Sequence, residues 1–297
     1  MERLLFIYNP QAGRQKARSS LADMLDAFAK AGYEITAHPT RCRGDATETA
    51  ANSRGYDRVV CCGGDGTLNE TVTGLMRIPM EERPVLGYIP TGSANDFARN
   101  VNLPKTMAGM AEVACGGVPK ACDLGLCDGR YFTYVAAFGL FTEVSYSTPQ
   151  SSKNLLGHFA YVLEGAGKLA NIPSYRVKVE TADGVTVEGD YIYGMVGNTV
   201  SVGGLVKLPK DKILLDDGLF EVILIRKPKT PKDLQDILTA LTTQKMEGGA
   251  VMGFTASKVI FTSQVPLSWT LDGEYGGERA VTTIENLPRA FVLACGE

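Results

Sequence analysis

The stretch RVVCCGGDGT, residues 58–67, places an apolar run directly before a glycine-rich turn. The run at 58–62 is typical of a buried strand, and Leu68, Val72 and Leu75 then recur at helical spacing. Glycine lets the backbone approach a ligand closely, and the amides that begin a helix favour a phosphate. A carboxylate inside such a turn, Asp65, would repel a phosphate unless Mg²⁺ or a hydroxyl donor lay between them. The stretch therefore predicts a strand, turn and helix that bind a Mg-nucleotide.

Length and composition favour a globular protein of two domains. The chain has 297 residues, of which 44% are hydrophobic and 21% charged. Its net charge of −3 argues against a general nucleic-acid-binding protein. No apolar run approaches the roughly 20 residues that cross a bilayer, and the N-terminal run is too short for a signal peptide. Seven cysteines without a Cys-x-x-Cys pair, with only two histidines, predict reduced thiols in a cytoplasmic protein and disfavour a structural zinc.

The first part of the chain alternates between strand and helix patterns. Strands are predicted at 4–8, 33–38, 58–62 and 85–89, and helices at 15–31, 45–53, 67–76, near 94 and at 106–115. This alternation indicates an α/β domain with a parallel sheet and with ligand loops at the carboxyl ends of its strands.

The pattern changes after about residue 120. Residues 119–139 read as two strands joined at Asp128-Gly129, and residues 155–170 read as a helix. From 174 onward, alternating segments are separated by Asp-Gly and Gly-Gly turns, which is typical of an antiparallel β-sandwich or flattened barrel. One further helix is predicted at 231–243, with Thr230 as its N-cap and Pro231 at its first position.

Three turns of the first part follow predicted strands and are rich in glycine and small polar residues: 9–13, 63–67 and 91–96. In a parallel sheet they would gather along one edge, where backbone amides and hydroxyls can hold phosphates and Asp65 and Asp96 can share a Mg²⁺ site. Each turn alone is compatible with ordinary loop chemistry. The sequence lacks both a Walker-type loop and a Gly-x-Gly-x-x-Gly fingerprint.

Two acidic turns lie in the second part. Residues 271–277 place Asp272 and Glu274 after an apolar strand, where a carboxylate would serve as a base, or where both acids are simply solvated in a hairpin turn. Residues 214–219 contain Asp216-Asp217-Gly218, which either holds a divalent cation or is an ordinary turn.

Five segments occur in order: Asn9-Pro10-x-x-Gly13, 63–67, 91–99, 216–219 and 271–274. Together they resemble the diacylglycerol kinase catalytic family, which also includes sphingosine and ceramide kinases, and most of all its soluble bacterial members. The resemblance spans nearly the whole chain. It implies an α/β nucleotide-binding domain over residues 1–122, a β-sandwich lipid-acceptor domain over 123–288, and an active site between them. The last strand, within 289–297, is expected to return to the first domain.

The resemblance also implies ATP and Mg²⁺ as cofactors. It matches Glu274 to the proton acceptor, with Asp272 beside it, and it assigns the catalytic Mg²⁺ and its waters to Asp65 and Asp96. A structural Mg²⁺ is implied near the Asp-Asp-Gly turn, with Asp217 as side-chain ligand and the carbonyls of Leu214 and Leu219. The nucleotide contacts carried over by motif are Asn9, Pro10, Gln11, Ala12, Gly13, Thr40, Gly64, Asp65, Gly66, Thr67, Leu68, Asn69, Glu70, Ser93, Asn95 and Asp96.

The activity implied is transfer of the γ-phosphoryl group of ATP to a lipid hydroxyl, with diacylglycerol as the first expectation and phosphatidic acid as its product. An NAD kinase is an alternative that shares the Gly-Gly-Asp-Gly-Thr turn, but its Gly-Ser-Thr-Ala-Tyr-like segment has no counterpart here. A catalytically silent nucleotide-binding regulator is a third reading, which the presence of Asp65, Asp96, Asp272 and Glu274 disfavours.

A lipid acceptor requires a membrane contact. Residues 207–232 are locally basic and would either approach an anionic bilayer or form a set of solvated lysines. The apolar stretch 135–141 would either line an acyl cleft or belong to the core. We expect a cytoplasmic protein, peripheral at the inner membrane face, that takes a lipid alcohol and no nucleic acid. The sequence leaves open the identity of the acceptor, the choice between ATP and GTP, and whether the protein is a homodimer.

Overall fold

The computed structural model describes residues 1–140, 172–199, 201–202, 206–207, 214–244, 246 and 249–296. The chain divides into two compact units. Unit 1 comprises Met1–Leu124 and Pro288–Glu297, and unit 2 comprises Gly125–Leu287. The boundary expected from the sequence was between residues 122 and 123. Within the described residues, no helix combines the length and the apolar composition needed to cross a bilayer.

Unit 1 is built on four parallel strands: β1 (Glu2–Tyr8), β2 (Tyr33–Pro39), β3 (Arg58–Gly63) and β4 (Val85–Pro90). Their spatial order is β4-β3-β1-β2, and each neighbouring pair is parallel. Tyr8 lies opposite Cys62 on one side and Pro39 on the other, while Gly63 lies opposite Pro90. This register brings the carboxyl ends of all four strands to one edge of the sheet.

Five α-helices accompany this sheet: α1 (Lys16–Ser19), α2 (Leu21–Lys30), α3 (Asp45–Ala51), α4 (Asp65–Leu75) and α5 (Met107–Gly116). Short 3₁₀ turns occur at Ala12–Gln15, Met80–Glu82 and Phe97–Asn100. The single helix expected at 15–31 is interrupted, because Ser20 has non-helical dihedrals (φ −112°, ψ 15°). Apolar side chains of α2 and α5, including Met24, Phe28 and Ala111, pack on Leu4, Phe6 and Val60 of the sheet.

Eleven further strands carry the rest of the described chain: β5 (Val118–Cys127), β6 (Arg130–Phe132), β7 (Val135–Gly139), β8 (Tyr175–Thr181), β9 (Thr186–Gly197), β10 (Ser201–Val202), β11 (Val206–Lys207), β12 (Phe220–Arg226), β13 (Val251–Ala256), β14 (Lys258–Leu271) and β15 (Glu274–Cys295). Strand pairs inside unit 2 are antiparallel, as between β7 and β9 and between β14 and β15. The end of β15 belongs to unit 1, where Leu293 pairs in parallel with Leu86 of β4.

The core of unit 2 contains a group of aromatic rings among aliphatic side chains. Trp269 of β14 contacts the rings of Phe138 and Phe261, with centroids 5.1 and 5.0 Å apart. Ala136 and Phe138 lie in this core, and within the stretch 135–141 the residues Val135–Phe138 are buried in strand β7. One helix, α6 (Pro231–Thr243), begins with a capping box in which Thr230 and Asp233 satisfy each other's backbone amides.

The two-strand reading of residues 119–139 was wrong, because this segment forms β5, β6 and β7. The turn at Asp128-Gly129 is present, and both residues have positive φ. The second break, at Thr133-Tyr134, arises because the amides there donate to the carboxylate of Asp272 instead of to a strand partner. The helix expected at 155–170 lies outside the described residues.

Candidate functional site

The three glycine-rich turns of unit 1 lie together at the carboxyl edge of its sheet. The Asn9 amide donates to the Cys62 carbonyl at 2.9 Å, and the Thr91 amide donates to the Gly63 carbonyl at 2.8 Å. The Asn9 side chain reaches the Thr67 hydroxyl at 3.5 Å. The turns after β1, β3 and β4 are therefore neighbours, and we call them the glycine loops (residues 9–13, 63–67 and 91–96).

Glycine is required where these loops touch. Gly13 has φ +54°, and a Cβ there would lie 1.6 Å from the Thr91 carbonyl oxygen. A Cβ on Gly92 would lie 2.5 Å from the Gly64 Cα. Real Cβ atoms do not approach other atoms so closely, so the packing of the loops depends on missing side chains.

The first loop is closed by its own asparagine. The Asn9 side-chain oxygen accepts from the Gln11 amide at 2.9 Å, and the Asn9 carbonyl accepts from the Ala12 amide at 3.2 Å. Pro10 occupies the turn between them, where its fixed φ suits a bend. The result is a compact turn that places Gly13 against the Thr91 carbonyl of the third loop.

The second loop begins helix α4. Gly64 is the N-cap and makes no side-chain cap, so no side chain of that residue covers the first amides of the helix. A Cβ on Gly66 would meet nothing within 4 Å, which leaves open space beside the first turn. Leu68 differs from the neighbouring residues that were predicted to contact the nucleotide. Its side chain is buried in the core, and its amide donates to the Gly64 carbonyl.

Asp65 ties the second loop to the third. Its two carboxylate oxygens accept from the backbone amides of Asp96 and Phe97 at 3.1 and 3.2 Å. Because each carboxylate oxygen has two lone pairs, these bonds leave capacity for water or a cation. Sequence reasoning gave Asp65 a metal role and a nucleotide contact but missed this tether, which joins residues 31 and 32 positions apart.

Asp96 is buried, with 7% of its surface exposed. Burial raises the pKa of its carboxyl group above the ordinary value, and the charge of Arg99, whose Nε lies 3.4 Å away, partly offsets that effect. Ser93 is exposed at the tip of this loop, and Asn95 adopts φ +51° while its side chain donates to the Gly92 carbonyl at 2.9 Å. The loop therefore contains one exposed hydroxyl and one buried acid.

A fourth loop, residues 40–45, lies at the same edge after β2. The Thr40 amide donates to the Tyr8 carbonyl at 2.9 Å. Glu70 of α4 accepts from the Gly44 amide at 2.8 Å, and its carbonyl accepts from the Thr47 hydroxyl at 3.0 Å. Thr40 and Glu70 are thus joined through this loop, and Asn69 precedes Glu70 on the same helix.

Sequence reasoning missed Asp45, which organises the fourth loop. Its buried carboxylate accepts from the Arg41 amide at 2.7 Å, from Arg41 Nε and Nη2 at 3.1 and 3.0 Å, and contacts His38 Nε2 at 3.2 Å. The Arg41 guanidinium holds the pKa of Asp45 well below its usual range. The signal in the sequence was weak, because an acid at the start of a helix is ordinary.

In unit 2 the turn between β14 and β15 separates two carboxylates. Asp272 has φ +50° and Gly273 has φ +81°, so the chain reverses within two residues. Asp272 is buried and accepts four hydrogen bonds: from Thr133 N (2.6 Å), Thr133 Oγ1 (2.8 Å), Tyr134 N (2.9 Å) and Val135 N (3.1 Å). Glu274, two residues later, is exposed. Asp272 therefore fixes the turn, while Glu274 is accessible to a substrate hydroxyl.

The Asp-Asp-Gly turn of unit 2 is the candidate cation site of that unit. Asp217 Oδ1 accepts from the Leu219 amide at 3.0 Å, and Gly218 has φ +77°. The Leu214 and Leu219 side chains are 54% and 37% exposed. Glu221, which sequence reasoning missed, has a buried Oε2 atom that makes no hydrogen bond within the described part of the chain. Burial, with a smaller effect of the Asp217 charge, raises the Glu221 pKa to about 7.

An orphaned carboxylate oxygen on a residue that senses the Asp217 charge is the kind of group that a bound cation satisfies. Among the described residues, no group of three or more His, Cys, Asp and Glu side chains has the arrangement of a metal site. A cation here would accordingly rely on backbone carbonyls for part of its coordination, as the resemblance implies for Leu214 and Leu219.

Comparison with protein families gives two matches that cover most of the chain. Residues 3–127 match the model described as the diacylglycerol kinase catalytic domain. Residues 135–295 match the model described as the YegS C-terminal NAD kinase beta sandwich-like domain.

Proteins of similar sequence are named diacylglycerol kinases. The diacylglycerol kinase of Bacillus subtilis (strain 168) is 36% identical over 280 residues, which is 93% of this chain and 91% of that protein. The diacylglycerol kinase of Staphylococcus aureus (strain MRSA252) is 37% identical over 280 residues, covering 93% and 87%. A crystal structure of a diacylglycerol kinase from Bacillus anthracis str. Sterne has a TM-score of 0.76 at 23% identity, covering 99% of this chain and 97% of that one. This last likeness concerns the fold alone.

Proposed function

This chain belongs to the diacylglycerol kinase catalytic-domain family and is a lipid kinase, and from that premise we propose that it transfers the γ-phosphoryl group of ATP to diacylglycerol in a Mg²⁺-dependent reaction that yields phosphatidic acid. The convergence of the three glycine loops supports the proposal most. Loops that meet through glycines at the carboxyl edge of a parallel sheet offer backbone amides, without side chains in the way, to a chain of phosphates.

The glycine loops would bind and orient the nucleotide. The first turn of α4 favours negative charge through its amides and its dipole, and the open space beside Gly66 lets a phosphate approach the backbone. Asp65 keeps the third loop against the second through the Asp96 and Phe97 amides. When bound with ATP, Mg²⁺ would neutralise charge on the phosphates, with Asp65 and Asp96 as the residues proposed to hold it and its waters.

Glu274 would be the proton acceptor. It is exposed and follows a turn that Asp272 fixes through four hydrogen bonds, so its backbone position is rigid. In the proposed step, Glu274 takes the proton of the lipid hydroxyl, and the hydroxyl oxygen forms a bond to the γ-phosphorus. The bond from that phosphorus to the β–γ bridging oxygen breaks, and ADP leaves. Positioning and electrostatic stabilisation supply most of the rate.

We propose further that the protein acts as a cytoplasmic, peripheral enzyme at a membrane surface, since its acceptor resides in a bilayer. Arg226, Lys229 and Lys232 are exposed around the start of α6, and each would contribute about 1 kcal/mol at most near an anionic surface. Lys210 and Lys212, which sequence analysis placed in the same basic region, lie outside the described residues. Self-association as a homodimer is compatible with the proposal and is not required by it.

The test is a transfer assay with radiolabelled ATP over a panel of acceptors in mixed micelles: diacylglycerol, phosphatidylglycerol, a polyprenol, a sphingoid base and, in solution, NAD. We expect labelled phosphatidic acid, in amounts that depend on Mg²⁺. Labelled NADP instead would favour the NAD kinase alternative, to which the description of the second family model alludes. ATP binding without transfer to any acceptor would favour the regulator.

A further inference from the structure

We propose that Arg41, held by Asp45, is the residue on which the base of the nucleotide stacks. The inference rests on the proposed function, because it assumes that the phosphates of a nucleotide lie in the glycine loops. It concerns a different contact, between a guanidinium plane and an aromatic base.

The strand order fixes where a base can go. The glycine loops follow β4, β3 and β1, which are neighbours in the sheet, and the loop at residues 40–45 follows β2 at the end of this row. Strands lie about 4.8 Å apart, so the β2 loop is roughly 10 Å along the edge from the end of β3. The Thr40 amide is bonded to the Tyr8 carbonyl of β1, which keeps the loop at the same edge. A nucleotide that extended from the glycine loops along β1 would reach this loop with its base.

The loop has a fixed position relative to the phosphate-binding helix. Glu70 of α4 accepts from the Gly44 amide at 2.8 Å, so the loop is tied to the same helix whose first turn is proposed to bind the phosphates. Gly44 has φ +84°, which few other residues adopt without strain. The spacing between a base subsite here and the phosphate subsite is therefore set by the fold.

The chemistry of Arg41 suits a neutral aromatic base better than a phosphate. One edge of its guanidinium, Nε and Nη2, is occupied by Asp45 at 3.1 and 3.0 Å, and the carboxylate balances its charge. The side chain is nevertheless 77% exposed, so the faces of the plane remain available to a ligand. Arginine held in this way stacks well on aromatic rings, because the plane is fixed before the ligand arrives.

The buried Asp45 carboxylate holds Arg41 in this position. The carboxylate side chain is only 6% exposed, and it also accepts from the Arg41 backbone amide at 2.7 Å. The same group therefore fixes both the backbone and the guanidinium of Arg41.

The experiment compares two probes by titration calorimetry: Mg-ATP, and Mg-tripolyphosphate, which has the phosphates without the base. The variants are Arg41→Ala and Arg41→Lys, and the matched control is Arg77→Ala, which removes another exposed arginine paired with a carboxylate, Glu48. We expect both Arg41 variants to weaken ATP binding about threefold to thirtyfold, because lysine keeps the charge and loses the plane. Tripolyphosphate binding should be unchanged in all three.

Unchanged ATP affinity in Arg41→Ala would overturn the inference. Equal losses for ATP and tripolyphosphate would overturn it as well, since Arg41 would then bind phosphate. If the wild-type protein bound neither probe, the proposed function itself would fail, and that outcome is distinct from the other two.

Discussion

The glycine loops of unit 1 and the β14–β15 turn of unit 2 both follow strands, and they are built in opposite ways. The loops meet through backbone atoms, so that a single Cβ on Gly13 would lie 1.6 Å from a carbonyl oxygen. The β14–β15 turn is held by one side chain, Asp272, which accepts four hydrogen bonds. Where the loops touch each other, added atoms should lower stability, whereas in the turn the identity of a single carboxylate should decide both stability and chemistry.

The largest effect on stability is expected at Asp272. In Asp272→Asn the new NH₂ group would face backbone N–H donors, and the amides among residues 133–135 that bonded the replaced oxygen would lose their acceptor. We expect a loss of about 2–4 kcal/mol in the free energy of unfolding, measured with urea. Glu274→Gln, at an exposed position in the same turn, should change it by less than about 0.5 kcal/mol. Equal stabilities for the two variants would remove the contrast between these acids.

Asp272 also shows where sequence reasoning stops. It was expected to act beside Glu274, because the two lie in one acidic turn. Its actual partners are 137 to 139 positions away, and nothing local signals them. The glycine loops, by contrast, were predictable, since parallel strands end at the same edge and each turn follows its strand directly.

Two other differences between the sequence-based predictions and the structure have the same cause. The break of the first helix at Ser20 depends on one pair of dihedral angles, which helical periodicity does not report. Asp45 begins helix α3 like an ordinary N-terminal acid, and its hold on Arg41 depends on how the β2 loop folds back. The family resemblance assigned nucleotide contacts near Asp45 but gave Asp45 itself no role, so this positioning residue was not predicted.

The glycine loops are probed most sharply at Gly66. Its Cβ would meet no protein atom within 4 Å, so Gly66→Ala should keep or raise stability, by up to about 1 kcal/mol. A methyl group in the space proposed for a phosphate should nevertheless weaken ATP binding about tenfold, measured by calorimetry. Gly116→Ala, in helix α5 with equally open space, is the matched control and should leave ATP binding unchanged. Undiminished ATP affinity in Gly66→Ala would mean that phosphates do not approach this turn.

A smaller effect is expected at the Asp-Asp-Gly turn. If Mg²⁺ binds the native protein there, at ten times its dissociation constant it stabilises by about 1.4 kcal/mol and raises the melting temperature. Asp217→Ala should remove this dependence on Mg²⁺ while leaving the melting temperature in chelator nearly unchanged. Calorimetric scans with Mg²⁺ and with chelator measure both. If the melting temperature of the wild-type protein is the same with Mg²⁺ and with chelator, this turn holds no metal.

The smallest effect concerns the pH dependence of unit 1. The pKa of Asp45 lies below its ordinary value of 3.8 in the folded protein, so its stabilising contribution is present above that value and is lost as the pH falls through the folded pKa. The stability difference between wild type and Asp45→Asn should therefore be full at pH 6 and should shrink below about pH 4. Urea unfolding at several pH values measures it. A difference independent of pH would mean that the charge of Asp45 does not matter.

The most direct test of the account is a single-turnover measurement on Glu274→Gln, saturated with Mg-ATP and mixed with diacylglycerol micelles. Removing a general base costs about 10² to 10⁴ in rate, and the glutamine keeps the size of the side chain. We expect ATP binding equal to wild type with the transfer step slowed by that factor, while Glu278→Gln, exposed on the same strand, transfers normally. Transfer by Glu274→Gln at the wild-type rate would contradict the assignment of Glu274 as the proton acceptor.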